Sequence, residues 1–325
     1  MTTHYRVIFP VGQGGFAFEN IGTTSIVYDC GSISSPARLE MYIDCLKAHG
    51  IKQIDYLFIS HFDIDHVNGI QYLLSSGIKV VNAVMSAIPK DLRIVYNAAT
   101  DGAYLAMRQL LGRNECEILE VNEETQQKKF SESNQLWEWI AKSMLNNSDL
   151  QNLQQELQDN DIDVKRLDNA EYLDNHKVAI NNVFKTVFGP LGPNAKGLVV
   201  LSQKTQNAIL DSIRLLHRHE NTSCLYTGDT RIKTQKEIET IINFLQTYCH
   251  EKTLGIMQLP HHGSKYNIHN LLHQQIIAEL YFVHDNNDKR IKQSQPLYAD
   301  LKAKHRLHVV KDICADIILG ETNIC

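Results

Sequence analysis

The period of the hydrophobic pattern changes along the chain. Residues 1–90 alternate short apolar runs with turns: a strand is expected at Tyr5–Phe9, a tight turn at Val11–Gly15, and a second strand at Thr24–Tyr28, running into Asp29-Cys30-Gly31-Ser32. From Pro36 to His49 the apolar positions Leu39, Tyr42, Ile43 and Leu46 recur every three to four residues, the signature of a helix with one buried face. Tyr56-Leu57-Phe58-Ile59 then forms a short continuous apolar run, the pattern of a strand buried on both faces. Strand, helix and strand in alternation predict an α/β layered fold.

The texture changes after residue 112. Arg113–Phe188 holds 76 residues without glycine or proline. Leu136, Ile140 and Met144 fall at i, i+4, i+8, and Leu150, Leu153 and Leu157 at i, i+3, i+7, both readable as helix stripes. The expectation is a helical insertion at about 91–175 inside a single domain spanning 1–325, with Trp137 and Trp139 as packing residues of that insertion. The insertion would cover or border a site, or form a surface for a homodimer or protein partner. A β texture is expected again at Val178–Phe188, broken by the Gly- and Pro-rich Phe188–Pro193. Further strands are expected at Gly197–Ser202, Ser223–Tyr226 and Leu254–Gln258.

Composition narrows the class. The 325 residues carry 32 Lys+Arg against 37 Asp+Glu, a formal charge of −5, and 43% are hydrophobic. That is enough for a sizeable core and argues against a general polyanion-coating role. No apolar run approaches the ~20 residues of a membrane span. The N-terminus lacks a secretory pattern, so a cytoplasmic location is expected. Seven scattered cysteines without a CxxC pair exclude a disulfide framework and a cysteine-type zinc finger. The fifteen histidines are the surplus that composition alone does not explain.

Three apolar runs end in chemistry. Ser60–Gly69 (SHFDIDHVNG) places His61, Asp63, Asp65 and His66 within six residues directly after a strand. Two imidazoles and two carboxylates converging in one loop call for a cation, and neutral His nitrogen with carboxylate oxygen suits zinc, manganese or iron. Leu225–Asp229 (LYTGD) and Leu259–Lys265 (LPHHGSK) are two more strand ends, delivering Asp229 and the pair His261–His262. Three such ends describe a site along one sheet edge. Gly12-Gln13-Gly14-Gly15 is not a phosphate loop, because no Lys-Ser/Thr helix follows; it reads as a turn, with Gln13 a lesser candidate for lining the site. His217, His219, His250, His269 and His273 read as surface residues. Lys289, Arg290, Lys292 and the run Lys302–Arg306 read as solvated faces that could also guide a polyanion.

Together SHFDIDHVNG, LYTGDT and LPHHGSK resemble the metallo-β-lactamase-fold hydrolases, and with VGQGG and Asp29-Cys30-Gly31 they resemble most the soluble hydrolase domain of ComEC-type competence (DNA-uptake) proteins and their stand-alone relatives. The resemblance covers about 1–90 and 178–285. It implies an αββα sandwich with the metal site at one edge of two sheets. His61, Asp65 and His66 match the family's HxHxDH pattern, while Asp63 stands where most members have a second His, a substitution shared by the competence branch. A further His usually comes from a strand end where this chain has Phe188-Gly189-Pro190. The resemblance implies one divalent metal ion, Zn or Mn, on His61 and Asp63, a second on Asp65, His66 and His261, and Asp229 bridging both. Between two such cations, about 3.5–4 Å apart, a bridging water becomes the hydroxide nucleophile. Asp65 and His262 are then the catalytic candidates, His262 as a proton donor or a residue supporting the neighbouring His261, and Ser264 and Lys265 are candidates for holding a phosphate oxygen.

The function expected on these grounds is metal-dependent hydrolysis of phosphoester bonds, with a nucleic acid or nucleotide as substrate. A small ester, lactone, thioester or phosphocholine-type substrate is the second reading. A metal-poor scaffold that binds a partner protein is the third, motivated by the missing His.

Overall fold

The computed structural model describes residues 4–122, 128–131, 137–204, 222–285, 289–294, 296–310 and 317–321. Fourteen strands are described: β1 (His4–Ile8), β2 (Gly14–Ile21), β3 (Thr24–Ser32), β4 (Gln53–Phe58), β5 (Lys79–Ser86), β6 (Glu117–Val121), β7 (Lys128–Ser131), β8 (Trp137–Ser143), β9 (Leu198–Lys204), β10 (Cys224–Tyr226), β11 (Leu254–Gln258), β12 (Ala278–His284), β13 (Leu307–Val310) and β14 (Ile317–Glu321). They form two seven-stranded sheets, ordered β14-β1-β2-β3-β4-β5-β6 and β13-β12-β11-β10-β9-β8-β7. Strands β3 to β6 run parallel, as do β10 to β13.

Strand alternation builds the layers. In the first sheet Ile26, Tyr28, Phe58 and Val84 face the second sheet, where they meet Val200, Cys224, Tyr226, Ile256 and Phe282. Their neighbours Val27, Leu57 and Ala83 point the other way, into a core shared with helices. Those helices are α1 (Pro36–Ala48), the short α2 (Ile64–Val67) and α3 (Ile70–Ser75), then α4 (Arg93–Ala99), α5 (Ala103–Arg113), α6 (Asn147–Asp159) and α7 (Ala170–Phe188). The outer face of the second sheet packs Leu201, Leu225, Met257 and Tyr281 against α8 (Gln235–Tyr248) and later short helices. The result is the expected αββα sandwich. Helix α1 buries Leu39, Tyr42, Ile43 and Leu46, as its spacing predicts. Among the described residues, no helix is long and apolar enough to cross a membrane.

Segment 91–175 is not purely helical. It holds α4, α5, α6 and the start of α7, but also β6 on one sheet and the hairpin β7–β8 on the other. The expected stripe Ile140–Met144 belongs to β8 and the residue after it, and Trp137 and Trp139 are strand residues; Leu136 lies outside the described residues. The reason is that a four-residue spacing also returns to the same face of a strand. With Trp139 and Ala141 buried between the sheets and Ile140 on the outer face, the alternation disappears into one apolar run. The opposite error falls at Val178–Phe188, which is the end of α7 rather than a strand. Ile180, Val183, Phe184 and Phe188 share one buried helix face, and Asn169 caps the start by accepting from the Tyr172 N–H. Period outweighs the β-branched composition here.

A polar network crosses the sandwich interior. Arg6 and Glu19, both fully buried, are ion-paired, and the Glu19 carboxylate also accepts from Tyr28 Oη (3.1 Å), Trp139 Nε1 (3.0 Å), Ser202 Oγ (2.8 Å) and Tyr226 Oη (3.1 Å). Partners come from both sheets, so this cluster pins their relative position. Removing one member leaves buried donors without an acceptor. Glu19→Ala is expected to lower unfolding free energy by about 3–5 kcal/mol in urea denaturation, far more than a substitution at a surface glutamate.

Candidate metal centre

The site is assembled where three strands, β4 of one sheet and β10 and β11 of the other, end on the same edge of the sandwich. Beyond β4, Ile59 N–H still donates to Val84 O (2.9 Å), and Ser60 and His61 follow immediately. Asp63 occupies the N-cap position of α2, whose single turn directs Asp65 and His66 inward and Ile64 outward. That turn sits hard against the first hairpin. A Cβ on Gly31 would lie 2.5 Å from the Asp65 carbonyl and the His66 nitrogen, and one on Gly14 2.8 Å from the Asp65 oxygen. The glycines of VGQGG and Asp29-Cys30-Gly31 therefore serve close backbone approach, not phosphate binding.

From β10, Thr227 and Gly228 turn the chain to present Asp229. Both backbone N–H groups donate to Gln258 Oε1 (2.9 and 3.0 Å), so β11 holds the β10 turn. Gly228 is left-handed at φ 52°, and a side chain there would collide with Ser60. After β11, Pro260 leads into His261 and His262, both at positive φ (48° and 53°), where His261 N–H donates to Gly228 O (3.1 Å). Non-glycine residues held in this region store on the order of 1–3 kcal/mol of strain each, tolerated where surroundings over-determine the conformation.

Four imidazoles surround the Asp229 carboxylate. Its Oδ1 lies 3.3 Å from His66 Nε2 and 3.8 Å from His262 Nε2; its Oδ2 lies 3.6 Å from His261 Nε2 and 3.9 Å from His61 Nε2. Asp65 Oδ2 lies 3.4 Å from His262 Nε2, and Asp63 Oδ2 3.9 Å from His61 Nε2. Asp63 is 44% exposed and accepts from Asn194 Nδ2 (2.5 Å), so it stands at the rim with the partly exposed His261, while the others are buried. Two groups have ligand atoms close enough to share a cation: His61, His66 and Asp229, and Asp65, His66 and His262.

The outer ring nitrogens decide what the inner ones can do. His66 Nδ1 donates to Asp29 Oδ2 (2.8 Å) and His262 Nδ1 to the His284 carbonyl (2.9 Å). His61 Nδ1 lies 2.9 Å from Ser60 Oγ, which itself donates to Asp29 Oδ2 (2.7 Å) and so accepts from the ring. With protons on Nδ1, all three rings present Nε2 lone pairs inward. Those Nε2 atoms are buried and form no hydrogen bond. Buried acceptors facing buried carboxylates are an unfavourable arrangement unless a cation lies among them, and the His/Asp donor set fits a divalent metal ion.

Electrostatics point the same way. Burial pushes the Asp229 carboxyl up, but His262 and His66 outweigh it and hold it well below the usual carboxylate range. Asp65 is likewise driven to about 2, its burial outweighed by the nearby His262 ring, 3.4 Å away, and the charge of His66. For His66 burial works downward, yet Asp229 and Asp29 raise it well above its ordinary value. In the metal-free protein the carboxylates thus hold a proton on His66.

Sequence reasoning brought together His61, Asp63, Asp65, His66, Asp229, His261 and His262, and the structure clusters all seven. Gln13 lines the cleft over the site; its backbone N–H donates to Ser34 Oγ (2.7 Å). Ser264 and Lys265 do not line that cleft, and Lys265 Nζ lies over the Tyr266 ring. Asp29, Ser60, Gln258 and His284 were missed as positioning residues; only the strand-end position of Asp29 hinted at a role. Among the histidines read as surface residues, His273 is buried with Nε2 2.6 Å from Asp300, and His250 pairs with buried Glu138 at 2.6 Å. His217 and His219 lie outside the described residues.

Fold and edge site together are those of the metallo-β-lactamase fold and support a metal-dependent hydrolase. Residues 17–90, which carry β2 to β5 and the His61–His66 loop, match the model of the metallo-beta-lactamase superfamily. Among solved structures, the chain is similar to the metallo-beta-lactamase fold protein YhfI from Bacillus subtilis, at 10% identity over 98% of this chain and 99% of that one, with a TM-score of 0.50. It is similar to Zn(2+)-bound PqqB from Methylobacterium extorquens at 8% identity over 97% of this chain and 99% of that one, also with a TM-score of 0.50. No curated protein sequence matches the chain.

Two outcomes test the centre. Asp29→Asn keeps the shape but replaces one acceptor oxygen by a donor, and is expected to weaken metal binding by about 10–100-fold in chelator competition. Metal loading must also expel the proton held on His66. Calorimetry in buffers of different ionisation heat should show proton release, and affinity should fall as the pH drops.

Proposed function

We propose that the protein is a hydrolase of phosphoester bonds that uses two divalent metal ions, zinc or manganese. The observation that carries this reading is the trio of buried, unpaired Nε2 atoms on His61, His66 and His262 facing Asp229 and Asp65. His61, His66 and Asp229 would hold one ion, with Asp63 at its open side. Asp65, His262 and the same Asp229 would hold the other. Bound there, two such ions supply a nucleophile from water near neutral pH and a Lewis acid for the phosphoryl oxygen. The Asp63 carboxylate in place of an imidazole adds hard oxygen and favours manganese.

The two neighbouring histidines exchange the roles expected from the sequence. His262 is buried, donates from Nδ1 to a carbonyl and offers Nε2 as a ligand. His261 is 20% exposed and borders the cleft, and its Nδ1 meets the Asn267 amide nitrogen. A donor on Nδ1 leaves the ring proton on Nε2, facing the site, where it can donate a hydrogen bond to a phosphoryl or leaving oxygen. Burial, together with the charges of His262 and Arg290, outweighs Asp229 and keeps the His261 pKa below its ordinary value, which favours the neutral ring with its Nε2–H turned to the site. Support for a phosphodiester within the class comes from the resemblance of the VGQGG, SHFDIDHVNG and LPHHGS segments to the competence branch.

Metal analysis and hydrolysis of a bis-aryl phosphate, under zinc and under manganese, test the reading. His262→Ala and Asp229→Ala should lose bound metal and activity together. His261→Ala should keep its metal and lose about 10²–10³-fold in turnover. A wild-type protein that holds no metal, or a metal-loaded one whose phosphodiester hydrolysis is unaffected by Asp229→Ala, would overturn it.

A further inference from the structure

The cleft over the metal centre has a volume of about 670 Å³ and two unlike walls. One is the centre itself, with Asp63, Asp65, Asp229 and His261. The other is largely apolar, with Gln13, Thr100 and Asp101 among its residues. Phe62 lies at its base, and Ala103 and Ala106 of α5 present small side chains along it. At the rim stand Ile33 and Ile64, 46% and 64% exposed, among the few large aliphatic side chains left to solvent. Helices α4 and α5 thus border the site through the turn between them.

Charge on the lining has one sign. Beyond the centre its only ionised group is Asp101, which pairs outward with Lys177 Nζ at 2.9 Å, and among the described lining residues none is lysine or arginine. Proteins that grip polynucleotides neutralise successive phosphates with lysine and arginine. A strand laid along this cleft would instead set its flanking phosphates against Asp63 and Asp101.

From these two walls we infer that the cleft takes a small ester carrying a single anionic centre and an uncharged apolar substituent. The anionic group would face the metal ions, and the substituent would lie between Ile33, Ile64 and the alanine face of α5. The inference rests on the reading of the site as a metal-dependent phosphoester hydrolase and narrows its substrate. A polynucleotide is the rival occupant.

The test compares binding of methylphosphonate and benzylphosphonate to the metal-loaded full chain by calorimetry. Covering the ring on the apolar wall should tighten binding by about ten-fold or more over the methyl compound. Ala106→Asp and Ile33→Asp, which place a charge on that wall away from the metal ligands, should keep the metal content and shrink the gap to about two-fold. Equal affinity for the two compounds, a gap unchanged in both variants, or tighter binding of a single-stranded oligonucleotide than of benzylphosphonate would each overturn the inference. Hydrolysis of benzyl aryl phosphate is measured on the same samples. A persistent binding gap without any hydrolysis counts against the hydrolase reading alone.

Discussion

One hydrogen-bonded carboxylate, Asp29, governs the geometry of the metal centre. It accepts from the Ser60 backbone N–H (2.8 Å), the Ser60 hydroxyl and His66 Nδ1, and through Ser60 it also sets the ring of His61. Two ligands are thereby held in the tautomer that aims an unprotonated nitrogen inward. Asp29 itself sits at φ 51°, an orientation stabilised only because β2, β3 and the His61–His66 loop close around it. The glycines of the first hairpin follow from that constraint, since any Cβ at Gly31 would push the loop away.

The second constraint is charge. Asp29, Asp65 and Asp229 are buried at one edge, and among the described residues no lysine or arginine lines the cleft above them. Protons on the histidines can offset that charge in part, but a divalent ion offsets more of it at closer range. Stability and function are therefore linked. The remainder of the sandwich supplies rigidity, and the Arg6–Glu19 network locks the sheets that carry the three strand ends. Loops displaced by even an ångström would separate Asp229 from its four imidazoles.

Much of the framework was legible in the residues because it rests on local pattern. The strand ending at Ile59, the helix from Pro36 and the strand Leu254–Gln258 are each specified by a short apolar period with clear turn residues beside it. Strand β8 and helix α7 were not legible. In β8 both faces are buried, which removes the alternation, and in α7 β-branched residues sit on a helical face that only its packing against α4 and α6 rewards.

For the site, the sequence by itself determined the donor set: two histidines and two aspartates after one strand, an aspartate after a second, and paired histidines after a third. These are covalent facts of short segments, and their chemistry calls for a cation whatever the fold. Tertiary structure alone decided their geometry. Both His261 and His262 turn Nε2 to Asp229, and which of them carries a proton there depends on the His284 carbonyl and the Asn267 amide, groups 22 and 6 residues away. That Asp29 orients His61 and His66 depends on contacts spanning 31 and 37 residues. The apolar wall of the cleft joins Ile33 to Ala106 across β3 and α5. Such pairings are set by how the layers stack, and no local period encodes them.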